Sequence, residues 1–157
     1  MCNFLYFVLN IIAKKVSLVM VYVHLVWVTK KRIPYLRSKE LRKNTWFHIL
    51  EYAKSKHIKI DHINGYRDHC HCLVQLKSNQ NLQSIVHLLK GESSHWINEQ
   101  KVLDELFQWQ AGFYAASVSP SKLKFVRKYI QNQERHHQSG SLIDELDNHF
   151  PDVKSGV

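Results

Sequence analysis

Two short segments of this 157-residue sequence gather side chains able to bind metals and attack electrophiles. The first is His69-Cys70-His71-Cys72-Leu73-Val74-Gln75-Leu76. In a strand, side chains alternate between faces. His69, His71, Leu73 and Gln75 then point one way, and Cys70, Cys72, Val74 and Leu76 the other. Two imidazoles on one face lie ~7 Å apart at Cα, given a rise of ~3.3 Å per residue, so both can converge on one ion. The cysteines share their face with Val74 and Leu76 and read as core residues. Their spacing also differs from that of a zinc-finger pair. In a chain with 11 histidines, a His-x-His on a solvated strand face can equally arise by chance.

The second segment runs from Lys124 to His137. Leu123, Val126 and Ile130 form the apolar stripe of a helix. Phe125, Tyr129, Gln133 and either His136 or His137 fall on the adjacent stripe, because residues four apart are neighbours. A phenol one turn from an amide, beside Arg127, Lys128 and Arg135, suits phosphoryl chemistry. The tyrosine can attack phosphorus, the amide oxygen can bind a metal, and the cations can hold phosphates. Standing alone, the same pattern describes an amphipathic surface helix with a packed tyrosine.

The elements that must position these groups can be read from periodicity. Val16 to Thr29 is almost unbroken Val, Leu, Tyr and Trp, which predicts a long central strand buried on both faces. Lys30-Lys31-Arg32 and Pro34 end it. Ser38 caps a predicted helix from Lys39 to about Lys56, with Leu41, Thr45, His48, Ile49, Tyr52 and Ala53 along one side. Ile58 to Ile63 alternates as a strand. Asn64-Gly65 and Arg67-Asp68 are turn signals, and His69 to Leu76 completes a hairpin. Asn81 caps a helix with Leu82, Ile85, Val86, Leu89, Ser93, Trp96 and Ile97 at helical spacing. Phe113 to Val118 is a short apolar strand. Ser119-Pro120 starts a last helix reaching about His137. The order strand, helix, strand, strand, helix, strand, helix is the α+β, ferredoxin-like βαββαβ plan plus a C-terminal helix. It implies an antiparallel sheet with its helices on one side. Such a fold assigns no function by itself.

Composition narrows the classes. With 45% hydrophobic and 22% charged residues, the chain is an ordinary globular domain, which excludes a disordered, collagenous or multi-span membrane protein as the main reading. The net charge is +9, and a basic domain suits a polyanion such as nucleic acid. The charge is concentrated: residues 1–67 hold 13 basic and 3 acidic side chains, residues 68–157 hold 9 and 10. Three cysteines, Cys2, Cys70 and Cys72, do not make a secreted disulfide framework and point to a reducing, cytoplasmic compartment. The apolar run Phe4 to Ala13 is too short for a membrane span of ~20 residues, and its lysines follow rather than precede it, unlike a secretory signal. Residues 1–19 therefore read as an extension, an extra strand or an appended segment. Residues 20–140 form the main domain, and residues 141–157 an acidic tail.

Taken together, the segments resemble a known family. Asp68-His69-Cys70-His71 is similar to the His-hydrophobe-His motif of HUH endonucleases. Tyr129-Ile130-Gln131-Asn132-Gln133 resembles the Tyr-x-x-x-Gln helix of the single-tyrosine, IS200-like HUH transposases of small insertion sequences. The stretches from Val23 to Arg32, from Trp109 to Tyr114 and from Asn132 to His137 also resemble that family. Cys70 departs from the usual aliphatic residue, but a buried thiol is a small hydrophobe. The resemblance covers about residues 20 to 140.

It implies a DNA transposase that cleaves and rejoins single-stranded DNA. His69, His71 and Gln133 would hold a divalent cofactor, Mg2+ or Mn2+. Tyr129 would attack phosphorus and form a 5′-phosphotyrosine link. The substrate would be single-stranded DNA with hairpin ends. Lys30, Lys31, Arg32, Arg67, Arg127 and Lys128 would face the DNA backbone. The protein would be a homodimer in which each tyrosine helix serves the partner's histidines, with Ser119-Pro120 as hinge.

Other readings compete. Tyr114 is a rival nucleophile, and His136 or His137 a rival third ligand. Gln133 is preferred on the family pattern. His24, His48, His62, His87 and His95 read as ordinary strand or helix residues. A relative that binds hairpin DNA without cutting it is the main functional alternative. An RNA-binding module would want paired aromatics on its central strands, where His69 and His71 stand. A histidine-triad hydrolase would need a third histidine where Leu73 stands.

Overall fold

The computed structural model describes residues 8, 9, 11, 12 and 19–136. The acidic tail, His137 and most of the N-terminal extension lie outside them. Four strands, β1 (Val21–Val28), β2 (Lys59–Gly65), β3 (His69–Leu76) and β4 (Tyr114–Val118), form one sheet in the order β2-β3-β1-β4. Every pairing is antiparallel. With helices α1 (Lys39–Ser55) and α2 (Leu82–Glu99) between strands, this is the expected ferredoxin-like arrangement. β1 and β3 are the inner strands, and both are buried almost throughout. β1 starts at Val21, which pairs with Leu76; residues 16–18 of the predicted strand lie outside the described residues. In the extension, Val8, Leu9, Ile11 and Ile12 are helical, not the strand considered as one possibility.

The helix starts follow local chemistry. The Ser38 hydroxyl accepts from the Leu41 amide, and the Asn81 carboxamide from Ser84, each satisfying an N–H that the first turn leaves open. α1 and α2 cover one sheet face. There Val23, Leu25, Trp27, Cys70, Cys72 and Val74 meet Trp46, Ile49, Ile85, Val86, Leu89 and Ile97. Both cysteines are fully buried and free, and burial pushes both thiols up, as their reading as core residues requires.

The β2–β3 hairpin differs from expectation in one detail. Asn64 and Gly65 belong to β2, opposite His71 and Cys70, and the turn lies after them. Gly65 is needed for close approach rather than for turning. A Cβ there would come within 2.2 Å of the His69 carbonyl oxygen, which no side chain tolerates.

The last helix is also built differently. A 3-10 turn, Pro120–Lys122, leads into α3 (Leu123–Gln131), followed by a single turn, α4 (Gln133–His136). Ser119 makes no side-chain cap bond. Asn132 leaves helical geometry at φ −97°, ψ 18° and interrupts what the sequence pattern predicts as one continuous helix. α3 packs on the sheet face opposite α1 and α2. A second, smaller core forms there from Tyr22, Leu73, Val118, Leu123, Tyr129 and Ile130. The sheet therefore has α1 and α2 on one side and the C-terminal helix on the other.

Candidate active site

Residues paired across strands share a face. The β1–β3 and β1–β4 registers place His71, Val26 and Tyr114 in one row, and Leu73, His24 and Ala116 in the next. This is the face under α3. The fold thus carries the imidazoles of β3 to the helix that bears Tyr129, within one chain. The His71 and Tyr129 rings meet edge-on with centroids 5.5 Å apart, and the His69 and His71 rings are 5.1 Å apart. His69, His71 and Gln133 are fully buried and Tyr129 nearly so.

Each imidazole is oriented by a neighbour. The His69 Nδ1–H donates to Asp68 Oδ1 at 2.7 Å. Asp68 in turn takes a salt bridge from Arg32 at 3.0 Å. Burial alone would raise the Asp68 carboxyl, but the His69 hydrogen bond and then Arg32 outweigh it and hold the group below its ordinary value. His71 Nδ1 lies 3.1 Å from His24 Nε2, and the two rings stack at 5.2 Å and 20°. In both rings Nδ1 is the atom engaged, so a metal would be met by Nε2. For His71 that requires the tautomer whose Nδ1–H donates to His24.

Gln133 is the third residue expected to ligate. Its Nε2 donates to the Tyr129 carbonyl at 3.3 Å. Its Oε1 is buried and has no hydrogen-bond partner among the described residues. An unsatisfied buried carbonyl costs on the order of 1–3 kcal/mol, and a cation would satisfy it. As a donor set, two imidazole nitrogens and an amide oxygen have the chemistry that a divalent transition ion accepts. Among the described residues no group of three His, Cys, Asp or Glu side chains is arranged to hold a metal. The trio depends on the amide.

α3 and α4 are fastened to their own chain. Arg127 grips Asp61 bidentately, Nε at 2.8 Å and Nη2 at 2.6 Å. Asp61 stands at a register shift of β2 between Ile60 and His62 and also bonds His62. The Arg127 hydrogen bond is the main reason the Asp61 carboxyl sits below its usual value. Gln131 Nε2 meets His62 Nε2 at 2.8 Å, and the Asn64 amide donates to the Gln131 carbonyl. Glu134 is held by Arg42 at 2.9 Å and Lys39 at 3.2 Å.

The remaining predicted residues are spread around this centre. Lys30, Lys31 and Arg32 form a 3-10 hook after β1, in which Lys31 and Arg32 take left-handed backbone angles. Lys30 Nζ donates to Gln108 at 2.7 Å, and Arg32 is committed to Asp68. Arg67 is exposed and lies over the Tyr66 ring at 5.2 Å. Lys128 is exposed, whereas Arg127 is engaged by Asp61. Tyr114, the rival nucleophile, shares the His71 row but lies on edge strand β4, and burial pushes its phenol up.

Sequence reading missed two contributors. His24 reads as an ordinary strand residue, yet it touches His71. Its place on the same β1 face as Val26 was the available signal. Asp68 reads as part of a motif, and its grip on His69 depends on the turn conformation. The other histidines behave as expected: His48 stacks on Trp96 at 4.7 Å, and His95 is paired with Glu99.

Comparisons with known proteins follow the same outline. A crystal structure of a candidate transposase from Deinococcus radiodurans R1 superposes with a TM-score of 0.61 at 20% identity, covering 74% of this chain and 93% of that one. A REP-associated tyrosine transposase, solved bound to a REP hairpin, superposes with a TM-score of 0.56 at 16% identity, covering 75% of this chain and 68% of that one. At these identities they establish the fold. No curated protein matches the sequence significantly. Among the described residues no helix is long and apolar enough to cross a membrane. The family model for IS200-like transposases matches residues 17–133, most of the chain and every element of the site: this protein belongs to the IS200-like transposase family.

Proposed function

We propose that this transposase cleaves and rejoins single-stranded DNA with Tyr129 as nucleophile. The phenol oxygen attacks the scissile phosphorus and loses its proton as the O–P bond forms. The 3′ oxygen leaves and is protonated, and the 5′ end stays linked to Tyr129. A later attack by a DNA 3′-OH reverses the step and restores a phosphodiester, so the bond energy is kept in the covalent link. His69, His71 and Gln133 would hold the divalent ion, with Asp68 and His24 fixing the two rings. When bound, the ion supplies charge stabilisation at the phosphate. A set of two imidazoles and one amide oxygen suits Mn2+ better than Mg2+, which prefers oxygen ligands.

The observation that carries this reading is the meeting, in one chain, of a buried imidazole pair and a phenol, with an orphaned amide oxygen one helical turn from the phenol. The same contacts favour attack in cis. A dimer that exchanged the tyrosine helix, as the family resemblance leads one to expect, would have to give up the Arg127–Asp61 pair and the Glu134 contacts. The DNA face would be the end of the sheet bearing Lys30, Lys31, Arg32 and Arg67, with Lys128 beyond. The relative solved with a REP hairpin supports a hairpin substrate.

The test is incubation with single strands from the flanks of its own gene, with Mn2+ or with chelator. The wild type should give a protein–DNA adduct that survives denaturation, and Tyr129→Phe none. An adduct persisting in Tyr129→Phe would move the nucleophile, with Tyr114 first in line. No adduct on any flank strand would leave a hairpin-binding protein without cleavage.

A further inference from the structure

A cleft of about 450 Å³ opens between the end of β4 and α3, walled by His24, Val118, Lys122, Phe125, Val126 and Tyr129. That volume is within the ~300–1,000 Å³ typical of small-ligand sites. Tyr129, the candidate nucleophile, forms part of the cleft's wall. Val118, Phe125, Val126 and Tyr129 give it an apolar and aromatic surface, with Ser117, Ser119 and the His24 imidazole as polar groups and the exposed Lys122 as its ammonium. Phe125 is 57% exposed, although apolar surface of this size gains from burial. It stands one turn before Tyr129, about 6 Å along the helix axis.

An aromatic surface, an exposed cation and a phenol proposed to attack a phosphodiester match one kind of ligand: a nucleotide whose base is unpaired. A paired base must give up its stacking and pairing to enter, whereas a base in a single strand is already open to stacking on an aromatic ring. We propose that this cleft binds the unpaired base adjacent to the scissile phosphate, with the base stacked on Phe125 and its flanking phosphate held by Lys122. The inference rests on the strand-transfer reading and adds a positioning element to it. Phe125 would fix where the strand stops along α3, and so which phosphorus faces Tyr129.

The test uses the full chain and single strands from the flanks of its gene, each carrying one 2-aminopurine, first in chelator so that no chemistry occurs. Stacking on Phe125 should quench the probe strongly at one position. Phe125→Ala should abolish that quench and weaken single-strand binding about tenfold, within the range of a lost base–aromatic stack. Phe125→Tyr should keep both. Unchanged quench and affinity in Phe125→Ala would overturn the inference. So would a shift from dimer to monomer in sedimentation of Phe125→Ala, which would assign the cleft to a second copy of the chain. Adduct formation, scored separately with Mn2+, distinguishes the two readings. Adduct without a localised quench removes the base site alone. A quench without adduct removes strand transfer alone, and neither signal removes both.

Discussion

The two faces of β3 make an instructive pair. Cys70 and Cys72 point to one side, His69 and His71 to the other, and all four are fully buried. Burial alone therefore does not mark the site. On the cysteine side the neighbours are Trp27, Leu25 and Val74, and the thiols, pushed up by burial, are inert fillers. On the histidine side each ring has a polar partner on Nδ1, Asp68 or His24, and a buried amide oxygen nearby lacks one. Polar groups are costly to bury unless bonded, so a face that buries several of them must be maintained for something other than packing. The same strand supplies the stability of the fold with one set of residues and, in the function proposed above, its chemistry with the other.

That contrast can be broken or sharpened by substitution. The largest effect is expected from Trp27→Ala on the packing side. It should cost about 3–5 kcal/mol in urea unfolding, with metal binding retained in whatever fraction stays folded. On the site side, Asp68→Asn should weaken Mn2+ binding about 10–100-fold, the usual effect of removing a group that orients a ligand, and change unfolding by much less. Calorimetric titration of the metal reads this without any DNA. His24→Ala should weaken Mn2+ binding less than Asp68→Asn, because the lost partner is an imidazole rather than a carboxylate. His24→Gln, which can still accept from His71 Nδ1–H, should recover part of the affinity. If Trp27→Ala impaired metal binding as much as stability, or if Asp68→Asn unfolded the chain, the division between the faces would fail.

The smallest effect concerns the fastening of α3. Arg127→Ala should destabilise only slightly, as the loss of a solvent-exposed ion pair does. Its sign with pH is fixed. The Asp61 carboxyl sits below its ordinary value of 3.8 in the folded protein, so the pair stabilises above that value and its contribution disappears as pH falls through and below it. Unfolding of the wild type and Arg127→Ala should therefore differ at pH 7 and converge as the pH is taken well below 3.8.

Much of this was legible in the sequence because it is local. The apolar run of β1, the caps Ser38 and Asn81, and the alternation that separates histidines from cysteines are short-range patterns, and each element formed where they indicated. What was not legible depends on register or on distant partners. His24 meets His71 only because β1 and β3 pair as they do, 47 residues apart. Asp61 can grip Arg127 because β2 shifts register beside it. The break at Asn132 lies inside a helical pattern, where bonds from its amide to the Lys128 and Tyr129 carbonyls close the turn. Glycine at position 65 reads as a turn signal, while its cause is the backbone of the neighbouring strand.

The account stands or falls on whether one chain supplies both the imidazoles and the phenol. The direct measurement is complementation: His71→Ala and Tyr129→Phe proteins, each inactive alone, mixed and assayed for adduct on a strand that the wild type cleaves. Assembly within a single chain predicts that the mixture stays as inactive as its components. Recovery of a substantial part of wild-type adduct would contradict it, since it would require the Tyr129 of one molecule to work with the histidines of another.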